Sequence, residues 1–172
     1  MSRTDAEKLV ADFRRTFPGA YSFTEKVKEQ CRSRGYVSTL RGRRRLLPDI
    51  VSTDPSSRSH AERQAVNTTI QGSAADLLKT AMLAIDRELQ RLFPECTRTH
   101  RTKGSAPVLP TSGAFLVLQL HDELMYEVCL KDLRQVARIV KTKMESAAQL
   151  LVPLVVNMKT GLSWGCLRDY QL

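Results

Sequence analysis

Two adjacent carboxylates, Asp122 and Glu123, follow His121 at the point where two largely apolar runs meet. Phe115 to Leu120 lies on one side and Leu124 to Val128 on the other. Charged residues interrupt a buried strand pair only at a cost in desolvation. Neighbouring carboxylates also repel, so they favour a counter-ion. A hard divalent cation with oxygen ligands, such as Mg²⁺, supplies one. In phosphoryl transfer two such ions clamp the attacking and leaving oxygens. The competing reading is a polar hairpin turn, where Asp is common. These residues alone leave both readings open.

A second set is Arg63, Asn67 and Gln71, recurring every four residues. On a helix they form one polar stripe beside Val66, Ile70 and Ala74. Arg, Asn and Gln so spaced can reach phosphates, sugars or base edges of a duplex. In the minor groove such contacts read pair shape and acceptors more than sequence. An ordinary solvated face is the commoner explanation of such a stripe by itself. The small residues Gly72, Ser73, Ala74 and Ala75 would admit a strand, a sheet or a substrate closely. A third set, Arg41-Gly42-Arg43-Arg44-Arg45, could grip phosphates or form a solvated basic turn. Trp164, within Gly161-Leu162-Ser163-Trp164-Gly165, reads as a packing anchor.

The elements that must position these residues follow from periodicity. Thr4 with Glu7 has capping-box spacing, and Ala6, Leu9, Val10, Phe13 and Phe17 follow at helical spacing. Pro18-Gly19 ends that helix. A second, about 20–34, places Ala20, Phe23, Val27 and Cys31 on one face and stops at Gly35. Tyr36 to Leu40 reads as a strand, and 48–59 as a loop. A long helix from about Arg58 to Leu92 carries a buried stripe of Val66, Ile70, Ala74, Leu77, Ala81 and Ile85. Glu95 to Gly113 is a polar insertion. The hairpin comes next, with only His121-Asp122 and Glu123 available for its turn. Leu133, Val136, Ala137, Val140, Met144 and Ala148 pattern a last helix, and Pro153 to Met158 a last strand. The fold class is α+β, with helices packed against an antiparallel sheet.

The totals agree with a nucleic-acid partner. Twenty-seven Lys and Arg against 18 Asp and Glu give a formal +9 over 172 residues, which suits a polyanion. A basic surface on an ordinary domain is the alternative. The four cysteines, Cys31, Cys96, Cys129 and Cys166, form no CxxC pair. That argues against zinc and a disulfide framework, and for reduced thiols inside a cell. No apolar run reaches the ~20 residues of a membrane span.

Taken together, four stretches resemble family A DNA polymerases. They are Gly35 to Ile50; Ala61 to Asn67 with Gln71 to Asp76; Leu118 to Leu124; and Val152-Pro153-Leu154 followed by Gly161 to Gly165. They stand in the family's order and cover nearly the whole chain. The resemblance implies part of a right-hand polymerase fold, with helices on an antiparallel palm sheet bearing a catalytic β-hairpin. Residues 1–57 would be the remainder of the fingers, and 58–172 the palm with its insertion at about 95–113. It implies that Asp122 is a catalytic, metal-binding aspartate, with Glu123 its acidic neighbour at the same metal site. His121 would stand near the primer terminus. Arg63, Asn67 and Gln71 would contact the primer–template minor groove, and Arg43 and Arg44 would assist in holding DNA. The implied cofactor is Mg²⁺, two ions in a complete enzyme. The implied partners are primer–template DNA, deoxynucleoside triphosphates and the remainder of a polymerase chain, with no membrane. Theta-type members are the most similar, through Leu118 to Val128 and the polar insertion. They imply end joining in DNA repair and a nuclear location. A nu-type member is the nearer alternative.

The pattern departs from the family in one respect. A second metal-binding aspartate, in a motif like Asp-Tyr-Ser-Gln-x-Glu, has no match here. One carboxylate block cannot hold both ions in the usual geometry. The expectation is a polymerase fragment inactive on its own, against a truncated, non-catalytic DNA-binding or interaction module.

Overall fold

The computed structural model describes residues 2–94, 96 and 111–172. The polar insertion therefore lies largely outside the described residues. The chain forms two compact units, Met1–Asp76 and Leu77–Leu172. The boundary falls within the long helix.

The first unit opens with α1 (Arg3–Thr16) and α2 (Pro18–Arg34). The cap of α1 is Ser2, not Thr4. Ser2 Oγ accepts from Asp5 N, and Asp5 Oδ2 accepts from Ser2 N, both at 3.1 Å. Ser at the cap with Asp three residues on closes the same reciprocal box two residues earlier than expected. A single residue, Phe17, separates the helices, and Pro18 takes the first position of α2, where its missing N–H costs nothing. Of the expected face of α2 only Val27 and Cys31 are buried. Leu9, Val10, Phe13 and Phe17 along α1 stay exposed. Gly35 ends α2 at φ +74°, a left-handed cap that suits glycine.

β1 (Tyr36–Ser38) and β2 (Arg44–Leu46) form a small antiparallel hairpin. The chain then enters α3 (Pro55–Leu92), three residues before its expected start. Asp54 explains the early start: its Oδ2 accepts from Ser57 N at 2.8 Å, satisfying a first-turn donor. The core of this unit joins Val27, Cys31, Val37, Leu47, Ile50, Ala61 and Ala65. The buried stripe of α3 here is thus Ala61, Ala65 and Thr68. Val66 is half-buried, Ala74 exposed and Ile70 53 % exposed, contrary to expectation. Small side chains win the inner face because the hairpin lies close on it, as Gly72 makes plain below.

The second unit takes the rest of α3, whose Ala81, Ile85 and Leu89 are buried as the periodicity requires. β3 (Ala114–Leu120) pairs antiparallel with β4 (Glu123–Val128), with a bulge between Leu116 and Leu118. β3 is less buried than its apolar run predicts: Val117 is 57 % exposed. α4 (Leu133–Glu145) lays Val136 into the core with Ala81, Ile85, Leu89, Phe93 and Ala114, and Ala137 is buried as well. Residues 153–158 form no ladder, unlike the expected strand, although their burial alternates as in one. Instead β5 (Lys159–Thr160) pairs with β6 (Arg168–Asp169). The architecture is α+β, with three separate two-stranded antiparallel sheets among the described residues. No described helix is long and apolar enough to cross a membrane.

Candidate active-site hairpin and nucleic-acid face

Leu120 and Glu123 are the closing pair of the β3–β4 hairpin, so His121 and Asp122 alone make the turn. His121 has φ +49°, the one positive φ of a non-glycine residue among those described. A side chain in the left-handed region costs about 1 kcal/mol or more. Gln119 supports the turn, donating from Nε2 to the His121 carbonyl at 2.8 Å. His121, Asp122 and Glu123 are all exposed. The turn therefore presents two carboxylates and an imidazole to solvent on a rigid two-strand base.

Two carboxylates suit a hard cation as ligands, but a divalent ion takes six or more oxygens. Among the described residues no three His, Cys, Asp or Glu side chains converge on one point. Asp122 and Glu123 are oxygen donors of the type a hard cation takes, and two carboxylates alone would not fill its coordination.

The other end of the hairpin is anchored by a residue that sequence reasoning missed. Asp132 Oδ2 accepts from Ser112 Oγ and from Gly113 N, both at 2.7 Å. The Ser112 hydroxyl first, then the Gly113 amide, hold the Asp132 carboxyl below the usual range. Gly113 sits at φ +99°, and a Cβ there would lie 2.8 Å from Phe93 Cβ and 2.7 Å from Cys96 Sγ. A Ser-Gly pair before a strand and an Asp before a helix were the only signals. Tyr126, on β4, packs against the core. Burial, helped by the Asp86 charge, pushes its phenol up to about 12.

In the first unit, Arg63, Asn67 and Gln71 lie exposed along α3 as the four-residue spacing requires. Arg63 Nη1 donates to Ser59 Oγ at 2.9 Å, one turn back, which steadies the guanidinium along the helix. Exposed Ile70 and Ala74 flank the stripe, so this face mixes hydrogen-bonding and apolar groups.

The arginine cluster is spent partly on structure. Arg43 Nε donates to Asp76 Oδ1 at 2.9 Å and its Nη2 to the Gly72 carbonyl at 3.2 Å. Arg45 Nη1 donates to Thr68 Oγ1 at 2.9 Å. The Arg44 guanidinium lies 4.8 Å from the centre of the Tyr36 ring, a cation–π contact. Leu40 N donates to Ser73 Oγ at 2.9 Å. A Cβ on Gly72 would come within 2.9 Å of Thr39 Cγ2. The small residues at 72–73 thus admit the β1–β2 hairpin, the strand-type neighbour among the three anticipated.

Comparison with known proteins bears on all of this. The signature of the family described as "DNA polymerase family A" matches residues 1–166. DNA polymerase theta of Mus musculus is 39 % identical over 188 aligned positions, covering 100 % of this chain and 7 % of that protein. DNA polymerase I of Treponema pallidum is 38 % identical, covering 96 % of this chain and 15 % of that protein. The solved POL domain of Pol1 from M. smegmatis, in complex with DNA primer-template and dNTP, superimposes with a TM-score of 0.76 at 32 % identity. That match covers 90 % of this chain and 24 % of the solved one. The chain therefore spans less than a fifth of the length of these curated relatives.

Proposed function

The chain belongs to DNA polymerase family A, and from that premise we propose that it is the carboxy-terminal part of a DNA-directed DNA polymerase of theta type. One observation carries the reading. The family match includes a hairpin that leaves Asp122, in its two-residue turn, and Glu123, the first residue of β4, exposed at its end. In this reading Asp122 is a metal-binding catalytic carboxylate and Glu123 assists at the same site. The metal, when bound, would stabilise charge on the transferring phosphoryl group and activate the primer hydroxyl. Mg²⁺, as two ions, is the proposed identity, with further ligands from elsewhere in the polymerase. His121 adjoins the primer terminus. Arg63, Asn67 and Gln71 lie along the minor groove of primer–template DNA, with Arg43 and Arg44 near its phosphates. Of these last two, Arg44 is the stronger candidate, since Arg43 is already engaged by Asp76.

The substrates are deoxynucleoside triphosphates and a primer 3′ end. Residues 1–57 are assigned to the fingers and 58–172 to the palm. The 39 % identity to a theta polymerase fits that type, by a narrow margin over the 38 % to a DNA polymerase I; a role in end joining in the nucleus is proposed with it. A nu-type enzyme is the alternative within the family. The decisive experiment is primer extension by the complete polymerase carrying Asp122→Ala. Synthesis should be abolished while primer–template affinity stays within a few-fold. Retained synthesis would remove Asp122 from the catalytic set. Extension by the 172-residue chain alone would show that it needs no further ligands.

A further inference from the structure

α4 carries a second cationic face that the polymerase reading does not use. Arg134, Gln135, Arg138 and Thr142 are all exposed. At 3.6 residues per turn they fall within an arc of about 100°. Lys131, just before the helix, is exposed as well. The opposite side of α4, with Val136, Val140 and Met144, joins the cluster that also holds Leu124 and Tyr126 of β4. The cationic face therefore points away from the catalytic hairpin.

Its two arginines meet no carboxylate on the helical span that carries them. From Leu133 to Met144 the sequence has no Asp or Glu. Of the flanking carboxylates, Asp132 accepts from Ser112 and Gly113 and also feels the charge of Lys131, while Glu145 accepts from Lys141 Nζ at 2.7 Å. Among the described residues no carboxylate forms an ion pair with Lys131, Arg134 or Arg138.

The composition of the face selects its partner. Arg134 and Arg138 stand about 6 Å apart along the helix axis. A nucleic-acid strand carries a phosphate every ~3.4 Å of axis, so the two guanidinium groups can reach alternate phosphates. Gln135 and Thr142 add neutral hydrogen-bonding groups of the kind that contact phosphate and sugar. Leu130, beside Lys131, is 83 % exposed, but the helical part of the face, Arg134, Gln135, Arg138 and Thr142, carries no aromatic or large apolar anchor of the kind a protein partner ordinarily requires.

We propose that the outer face of α4, through Lys131, Arg134 and Arg138, is a second DNA-binding surface that holds the phosphodiester backbone of duplex DNA without reading its sequence. The proposal rests on the nucleic-acid reading above but assigns a different surface from Arg63, Asn67 and Gln71. It gives the protein a grip on duplex away from the primer terminus.

The test is fluorescence anisotropy of the 172-residue chain with a blunt duplex, which has no recessed 3′ end, over a salt series. A K131Q/R134Q/R138Q variant should lose tenfold or more in affinity. Its log K against log[salt] slope should fall by about 2 to 3, since each phosphate contact contributes ~0.9. Helix content by circular dichroism should be unchanged. If it is not, Arg138→Gln alone should still lower the slope by about 1. An unchanged slope in these variants, with primer–template binding still sensitive to Arg63→Ala, would overturn this surface and leave the polymerase reading intact. Competition by polyglutamate as effective as by duplex would overturn the nucleic-acid assignment of the face. Failure of the unmodified chain to bind any DNA would sink both readings.

Discussion

Arg43 Nε donates to Asp76 Oδ1 at 2.9 Å, joining the β1–β2 turn to α3 across 33 residues of sequence. Asp76 is only 10 % exposed, whereas Arg43 is half open to solvent. The same guanidinium also caps the Gly72 carbonyl. A cluster that reads as a phosphate grip is thus partly a clasp between hairpin and helix.

Arg43→Ala should destabilise the chain by about 1–2 kcal/mol, the loss of a charged hydrogen bond discounted for exposure. That corresponds to a fall of roughly 2–8 °C in melting temperature. Thermal unfolding by circular dichroism measures it. An unchanged Tm would show that the clasp contributes nothing to stability.

Two glycines should respond differently to alanine. At Gly72 the new methyl presses on buried Thr39, a strain of about 1–3 kcal/mol offset by about 1 kcal/mol of helix propensity. At Gly113 the φ of +99° adds backbone strain to two contacts under 3 Å, for a loss above about 2 kcal/mol. Denaturant unfolding should therefore rank Gly113→Ala well below Gly72→Ala in stability. The reverse order would contradict the packing described at these sites.

His121→Gly should raise stability by about 0.5–1 kcal/mol, because relief of the left-handed backbone outweighs glycine's extra entropy. In the complete polymerase the same change should lower primer extension. Gain in one property with loss in the other is the signature of strain kept for function.

Stability should also depend on acid through Asp132. Its carboxyl is lowered in the folded state by the Ser112 hydroxyl and the Gly113 amide. Its contribution is then fully present above the ordinary carboxyl value of ~4 and is lost as pH falls through the lower folded value. Melting temperature should drop as pH falls below the ordinary carboxyl value, and Asp132→Asn should flatten part of that drop. An identical acid limb in the variant would assign it to other carboxylates.

Arg63→Ala should weaken primer–template binding nearly uniformly across sequences and reduce the salt slope by about 1. The side chain is exposed and, among the described residues, donates to Ser59 one turn back, so the fold should be unaffected. Binding titrations at several salt concentrations would decide it, and unchanged affinity would remove Arg63 from the interface.

The sequence by itself determined the features that depend on local spacing. The hairpin tip was legible because two strand runs left only His121, Asp122 and Glu123 to turn the chain. The exposed stripe of Arg63, Asn67 and Gln71 followed from helical period alone. Periodicity also placed Ala81 and Ile85 in the core. Tertiary structure decided what depends on distant neighbours. Hydrophobicity favours burying Ile70, yet the β1–β2 hairpin and its turn lie on the side of α3 taken by Thr68, Gly72 and Ser73. The partners of Arg43 and Arg45 lie 33 and 23 residues away, beyond the reach of any local pattern. Whether an arginine meets a carboxylate, a ring or solvent is settled by which element packs beside it. Spacing fixes which residues share a face, and packing fixes what that face meets.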